Sequence, residues 1–249
     1  MSKVAVIGGG AGGMMAACIA AGNGHRVTLF EQNEKLGKKI YITGKGRCNL
    51  TNACDTEDLF AAIMKNAKFL YSAIYTFDNH ALMDYFAGLG LKMKIERGNR
   101  VFPQSDHASD VIRVLTDELH RKKVRICLNT KVQEIVSDGT KVTGVRWDCH
   151  DTHQKNQIEA FDAVVAACGG VSYPTTGSDG SGFELCKKLG HTVTELRPSL
   201  IGMTTAEEYI PQLQGLSLKN VTFYVKSGKR HCILNSVKCS LPIRVSAVL

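Results

Sequence analysis

Three glycines and one acid near the start of the chain have the types and spacing that bind a dinucleotide. Gly8, Gly10 and Gly13 fill the positions of a G-x-G-x-x-G turn, with Ala11 and Gly12 inside it. In such a turn the first glycine permits the tight bend, the second lets backbone approach a pyrophosphate, and the third lets helix pack closely on strand. Glu31 follows Gly13 after an interval of seventeen residues, where a carboxylate can accept hydrogen bonds from a ribose diol. An acid at that position favours an unphosphorylated adenosine ribose, so FAD or NAD before NADP. These residues can meet only if strand, turn, helix and strand succeed one another. Val4 to Ile7 supply an apolar strand, Ala16 and Ala17 extend the small-residue helix face, and Arg26 to Phe30 form a second strand ending at Glu31.

The stretch from Gln32 to Asn52 is rich in glycine and cations, among them Lys35, Lys38, Lys39, Lys45 and Arg47. Asn49, Thr51 and Asn52 add hydrogen-bonding groups, so the segment can wrap a phosphorylated cofactor with backbone amides and an arginine fork. A solvated basic loop is the alternative to that reading. Cys48 has no cysteine or histidine at a diagnostic spacing and reads as a packed thiol. A second small-residue strand, Ala163 to Ala167, is wholly apolar, as in a parallel sheet buried on both faces. It ends at Cys168, Gly169 and Gly170, where another strand-to-helix turn can approach the cofactor. Ser178 or Asp179 can cap the helix that follows, through Leu189, although ordinary turn chemistry explains the same residues.

Helical spacing runs over 56–76 and 79–89, with Asp55 or Thr56 as N-cap, and again over 108–121 with Val111, Ile112, Leu115 and Leu119 as its stripe. Alternation around Gly98-Asn99 predicts a hairpin over 92–102 that Pro103 ends, and alternation across Asp138-Gly139 predicts a second, with arms 125–136 and 142–148. His150 and His153 beside Cys149 lack a second ligand cluster at zinc spacing and read as a polar loop tip. Short strands at Leu200–Thr204 and Val221–Val225 place a mostly β second domain over 191–249, after a first domain over 1–190.

The chain has 249 residues, 44% of them hydrophobic, and a net charge of +8. Its lysines and arginines are spread out and not interleaved with stacking aromatics, which argues against a nucleic-acid partner. The apolar opening is too short for a membrane span and lacks a secretory leader's features, so no membrane association and a cytoplasmic location are expected. Nine cysteines without framework spacing fit buried thiols in a reducing compartment.

Two of these stretches resemble the HI0933-like flavoproteins. Gly44 to Asn52 is similar to that family's G-x-G-R-C-N-x-T-N signature, and Gly169 to Gly182 to its G-G-x-S-Y-P-x-T-G-S-x-G-x-G. The resemblance runs from Met1 to about Lys229. It implies FAD held by Gly8, Gly10, Ala11, Gly12, Gly13, Glu31 and Gln32, by Lys39, and by Gly44, Gly46, Arg47, Asn49 and Thr51. Val132 would lie near the adenine, and Ala167, Cys168, Gly169 and Gly170 on the flavin side. Cys168 departs from the family's usual threonine, keeping the size but hydrogen-bonding poorly. Ser236 to Leu249 departs further, since the family has G-E-M-L-F-T-H-x-G-V-S-G-P near there. One synonymous coding of these residues, read from its third base, gives GEMLFTHSGVSGP. The expectation is a frameshifted, truncated member lacking the C-terminal segment that returns to the first domain.

The fold expected is α/β: a Rossmann-like, two-dinucleotide-binding FAD domain followed by part of a β-rich domain. The function expected is an FAD-dependent oxidoreductase acting on a small organic substrate, with NAD(P)H or oxygen as electron partner. An NAD-binding dehydrogenase without flavin, or an inactive relic, is the alternative. No catalytic residue and no metal ligand is assigned.

Overall fold

The computed structural model describes residues 1–63 and 65–198, Tyr209 and Gln212, and the backbone of strands at 203–204, 217–227, 230–240 and 246–247. It divides into two compact units, Met1–Val193 and Thr194–Leu249.

The first unit opens with β1 (Lys3–Ile7), α1 (Ala11–Gly22) and β2 (Arg26–Phe30), then β3 (Thr51–Asn52), α2 (Thr56–Ala61), α3 (Tyr71–Thr76) and α4 (Asn79–Gly88). It continues with β4 (Met93–Glu96), β5 (Arg100–Pro103), α5 (Ala108–Arg121), β6 (Arg125–Cys127), β7 (Thr130–Ser137), β8 (Val142–Cys149), β9 (Gln154–Ala160), β10 (Ala163–Ala166) and α6 (Ser181–Lys188). In the second unit β11 (Met203–Thr204) pairs antiparallel with β14 (Ser246–Ala247), and β12 (Ser217–Ser227) with β13 (Arg230–Ser240).

A parallel sheet in the order β10-β1-β2-β6 forms the middle layer of the first unit. The two faces of β1 explain the layering. Val4 and Val6 point to one side, where they join Met14, Ala17 and Cys18 of α1 and Val111, Leu115 and Leu119 of α5. Ala5 and Ile7 point to the other, with Phe30, Val132, Val145 and Phe161, against the antiparallel sheet β7-β8-β9. This alternation is why a strand apolar throughout can serve two cores at once. Leu29 and Met14 are wholly buried, and burying such a side chain contributes about 1.5–3 kcal/mol.

Several sequence expectations need correcting. The helical span at 56–76 is two short helices, α2 and α3, because Asn66 adopts a left-handed conformation (φ 56°) between them. The arm at 125–136 is two strands: β6 joins the parallel sheet, Asn129 turns at φ 50°, and β7 then pairs with β8. Pro103 is the last residue of β5, paired with Met93, so the hairpin ends on the proline and includes it. Strand β10 is parallel to β1 as expected, but among the described residues it pairs only with β1, and its side chains are half-exposed to exposed instead of buried on both faces. Strand β9, polar and exposed, carried no apolar alternation to reveal it. Of the predicted strand at 200–204 only Met203–Thr204 is described, and the side chains of Ser236 to Leu249 lie outside the described residues.

Candidate functional site

The C-terminal ends of β1, β2 and β10 open into a cleft of about 420 Å3, within the roughly 300–1,000 Å3 typical of ligand sites. Its floor is the glycine turn between β1 and α1. Gly8 takes φ +105°, and an added Cβ would stand 2.5 Å from the Ala167 carbonyl oxygen. A Cβ on Gly13 would run into the Gly8 carbonyl oxygen. Both positions are therefore closed by the protein's own backbone. Gly10 and Gly12 differ: a Cβ there would meet nothing within 4 Å, and both line the cleft. No side chain caps α1, whose first intrahelical bond is Met14 N to Gly10 O at 2.9 Å. The amides of Ala11, Gly12 and Gly13 thus lack helical partners, the arrangement that receives an anion.

Glu31, at the end of β2, is buried in the cleft wall. Its Oε2 accepts from Gly9 N at 2.6 Å, and its Oε1 from Asn33 N and Nδ2 at 2.8 and 2.7 Å. The carboxylate therefore fastens the glycine turn to β2, a structural duty the spacing alone did not reveal. Oε2 keeps a lone pair for a further donor.

Of the other residues singled out from sequence, Ala11, Gln32, Lys39, Val132, Ala167, Cys168 and Gly169 line the same cleft. Lys39 Nζ donates to Ser172 O at 2.7 Å and Ser178 Oγ at 2.6 Å. Cys168 Sγ donates weakly to Ile7 O at 3.7 Å. Burial, then Cys186, Asp179 and Glu31, pushes its thiol up to about 11, which makes it a packing group and not a nucleophile at neutral pH.

Gly13, Gly170 and the segment from Gly44 to Thr51 lie outside the cleft lining. Gly44 and Gly46 turn the chain at positive φ; Thr51 pairs with Val101 in β3 and β5. Asn49, with its amide nitrogen turned toward them, donates to Val101 O and Thr51 O. Arg47 has partners other than the expected phosphates. Its guanidinium reaches Glu96 Oε1 at 2.5 Å and Asp106 Oδ1 at 2.6 Å, and lies 4.1 Å from the Phe102 ring centre. Lys94 joins through Asp106 at 2.6 Å. Hydrogen bonds from Arg47 hold Glu96 below the usual carboxylate range, and those from Lys94 and then Arg47 do so for Asp106. This cluster braces the corner from which Ile40 and Thr43 reach the cleft.

Of the remaining cleft-wall residues, Lys38 was legible only as one cation of the basic segment and Ser178 only as a helix cap, while Thr43, Lys131 and Gly177 had no individual assignment. The resemblance had marked Gly177 and Ser178 only as part of a motif. Asp179 does not cap α6 through its expected place: Gly180 is the N-cap, and Asp179 Oδ1 accepts from Ser181 N at 3.0 Å. Among the described residues no group of histidines, cysteines and acids is arranged to hold a metal, and no helix is long and apolar enough to cross a membrane.

A β-α-β glycine turn with a buried acid after its second strand is common to many proteins, and the comparisons narrow it. The model of the HI0933-like protein Rossmann domain matches residues 2–229. The chain belongs to the HI0933-like family. Among its relatives, a 3-dehydro-bile acid delta(4,6)-reductase of Clostridium scindens is 35% identical over 218 residues, which are 87% of this chain and 51% of that protein. A ribosomal RNA dihydrouridine synthase of Escherichia coli is 27% identical over 212 residues, 85% of this chain and 50% of the other. The HI0933-like chain spans about half the length of the curated relatives it matches. A 3-ketosteroid-delta4-(5alpha)-dehydrogenase from Rhodococcus jostii RHA1 shares the fold, with a TM-score of 0.60 and 17% identity over 76% of this chain and 54% of that one. The ribosomal RNA named in a relative leaves the exclusion of nucleic-acid partners without support.

Proposed function

We propose that residues 1–190 form the FAD-binding domain of an FAD-dependent oxidoreductase, followed over 191–249 by part of a β-rich second domain. The observation that carries this reading is the open cradle at Gly10 and Gly12. Protein packing requires glycine at Gly8 and Gly13, whereas at Gly10 and Gly12, which line the cleft, no protein atom fills the space a side chain leaves and a ligand can. Backbone amides at the start of α1 would receive the pyrophosphate, Glu31 the adenosine ribose, and Val132 the adenine. Ala167, Cys168 and Gly169 would face the flavin side. Bound there, the flavin supplies the hydride or electron-pair chemistry; the chain binds it, orients it and shields it.

The substrate in this reading is a small organic molecule, with NAD(P)H or oxygen as electron partner and a cytoplasmic location. The 35% identity to a bile acid reductase supports reduction of an organic substrate over oxidation. A second reading, reduction of a base in RNA, is favoured by the 27% identity to a ribosomal RNA dihydrouridine synthase.

The purified chain should bind FAD, seen as quenching of flavin fluorescence on titration and a yellow protein after gel filtration. NADH or NADPH should then bleach the bound flavin, and reoxidation by a steroid-like enone or by a uridine-containing RNA separates the two readings. A chain that binds NAD but no flavin would refute the proposal in favour of a flavin-free dehydrogenase.

A further inference from the structure

The segment Ser172–Ser178 crosses the cleft wall without belonging to a strand or a long helix. It contains one short 3-10 turn, Pro174–Thr176, entered through Tyr173 at φ 53° and left through Gly177 at φ 98°. Thr176, Gly177 and Ser178 line the cleft, while Tyr173 on the outer side is 66% exposed. Of the seven residues only Ser178 is buried, so apolar packing does little to hold the segment down. Polar fasteners do so instead, and all come from the stretch just after β2. Gln32 Nε2 donates to Gly177 O at 2.8 Å and Asn33 Nδ2 to Thr176 O at 3.2 Å, while Lys39 holds Ser172 O and Ser178 Oγ. The fit is close, since a Cβ on Gly177 would stand 2.6 Å from Asn33 Nδ2.

We infer that Ser172–Ser178 is a strap over the adenosine half of the cleft, and that the side-chain amides of Gln32 and Asn33 are the clasp that sets how fast a bound dinucleotide leaves. The inference rests on the FAD reading above. Glu31 and the clasp occupy three consecutive positions, so the residue facing the ribose and those closing the strap follow one another in the bend just after β2. A segment with few buried apolar contacts and a handful of side-chain hydrogen bonds opens at low free energy. Removing one fastener lowers that further, in the strap alone. Thr176, Gly177 and Ser178 line the cleft only while the strap is fastened, so loosening it removes contacts to a bound ligand and the change falls mainly on dissociation.

The test uses the full chain loaded with FAD. Gln32→Met keeps the side-chain length and removes the donor to Gly177 O; Gly177→Ala disturbs the same junction from the strap side. Each variant should release FAD roughly fivefold faster or more, with association within about twofold of the parent. Hydrogen–deuterium exchange across 172–178, measured in the FAD-free chain, should rise in both. Faster release with parental exchange would mean that Gln32 merely touches the ligand, and would overturn the clasp, as would release at the parental rate. If Gly177→Ala does not fold, Gln32→Met decides. A parent chain that binds no FAD sinks the FAD reading itself, whereas a parent that binds with unchanged variants sinks only the clasp.

Discussion

Gly10→Ala separates a glycine kept for a ligand from one kept for the fold. Gly10 has φ −80° and ψ −170°, a conformation alanine adopts without strain, and its Cβ would meet no protein atom within 4 Å. Alanine is a poorer N-cap than glycine by roughly 0.5–1 kcal/mol, yet it narrows the unfolded ensemble by about 0.4–1 kcal/mol. These nearly cancel, so the melting temperature of the ligand-free chain should stay within about 2 °C of the parent. FAD affinity should fall much further, because the methyl group stands where a phosphate must meet the α1 amides. Losing a charge-assisted hydrogen bond there costs about 1.5–3 kcal/mol, or roughly 10- to 150-fold in dissociation constant. Gly13→Ala should behave oppositely at first sight of heat: its Cβ strikes the Gly8 carbonyl, and such overpacking costs about 1–3 kcal/mol, lowering the melt by roughly 2–12 °C. Calorimetry of the ligand-free proteins with fluorescence titration of FAD reads both quantities. If Gly10→Ala binds FAD like the parent, or melts as low as Gly13→Ala, the argument from open space is wrong.

Glu31→Ala should weaken FAD by about one to two decades and also lower the melt of the ligand-free chain, because Gly9 N is left buried without an acceptor; titration and calorimetry measure the two effects. Arg47→Lys keeps the charge but loses the planar fork to Glu96 and Asp106, so it should melt earlier while FAD affinity stays within about twofold, under 0.5 kcal/mol. Because Glu96 and Asp106 have depressed folded-state values, their contribution is present above the unfolded carboxylate range and fades as pH falls; an acid titration should show the Arg47 corner loosening below roughly pH 4. Among the cysteines, Cys149, lowered chiefly by a Thr152 hydrogen bond, should react with a disulfide reagent near neutral pH well before Cys168 and Cys48, which burial raises; peptide mapping after brief labelling checks the order.

What could be read in the sequence was local. The glycine turn and Glu31 lie within one β-α-β unit, so their spacing specifies their geometry, and α5 announces itself through the stripe from Val111 to Leu119. Arg47 was legible as an arginine among glycines but not as the centre of a charge cluster, because Glu96 and Asp106 lie 49 and 59 residues away. Composition showed that β10 is apolar but carries no information on sheet order, and so could not show it half-open. The strap was visible as a motif, while its fastening depends on Gln32, Asn33 and Lys39, residue types that look like ordinary loop polarity.

The half-open β10 bears on how the protein behaves in bulk. Its four residues, Ala163 to Ala166, carry no charge and no proline, and Val165 is 36% exposed. Proteins commonly blunt such a margin with lysine or proline, since a strand with unsatisfied backbone groups is a template for any other extended chain. Among the described residues no strand pairs with the outer side of this uncharged Ala-Val-Val-Ala margin, so the net charge of +8 helps to keep copies apart in a concentrated solution. That protection is long-ranged and screened by salt, which makes low ionic strength the condition under which this surface is best kept apart from its own copies.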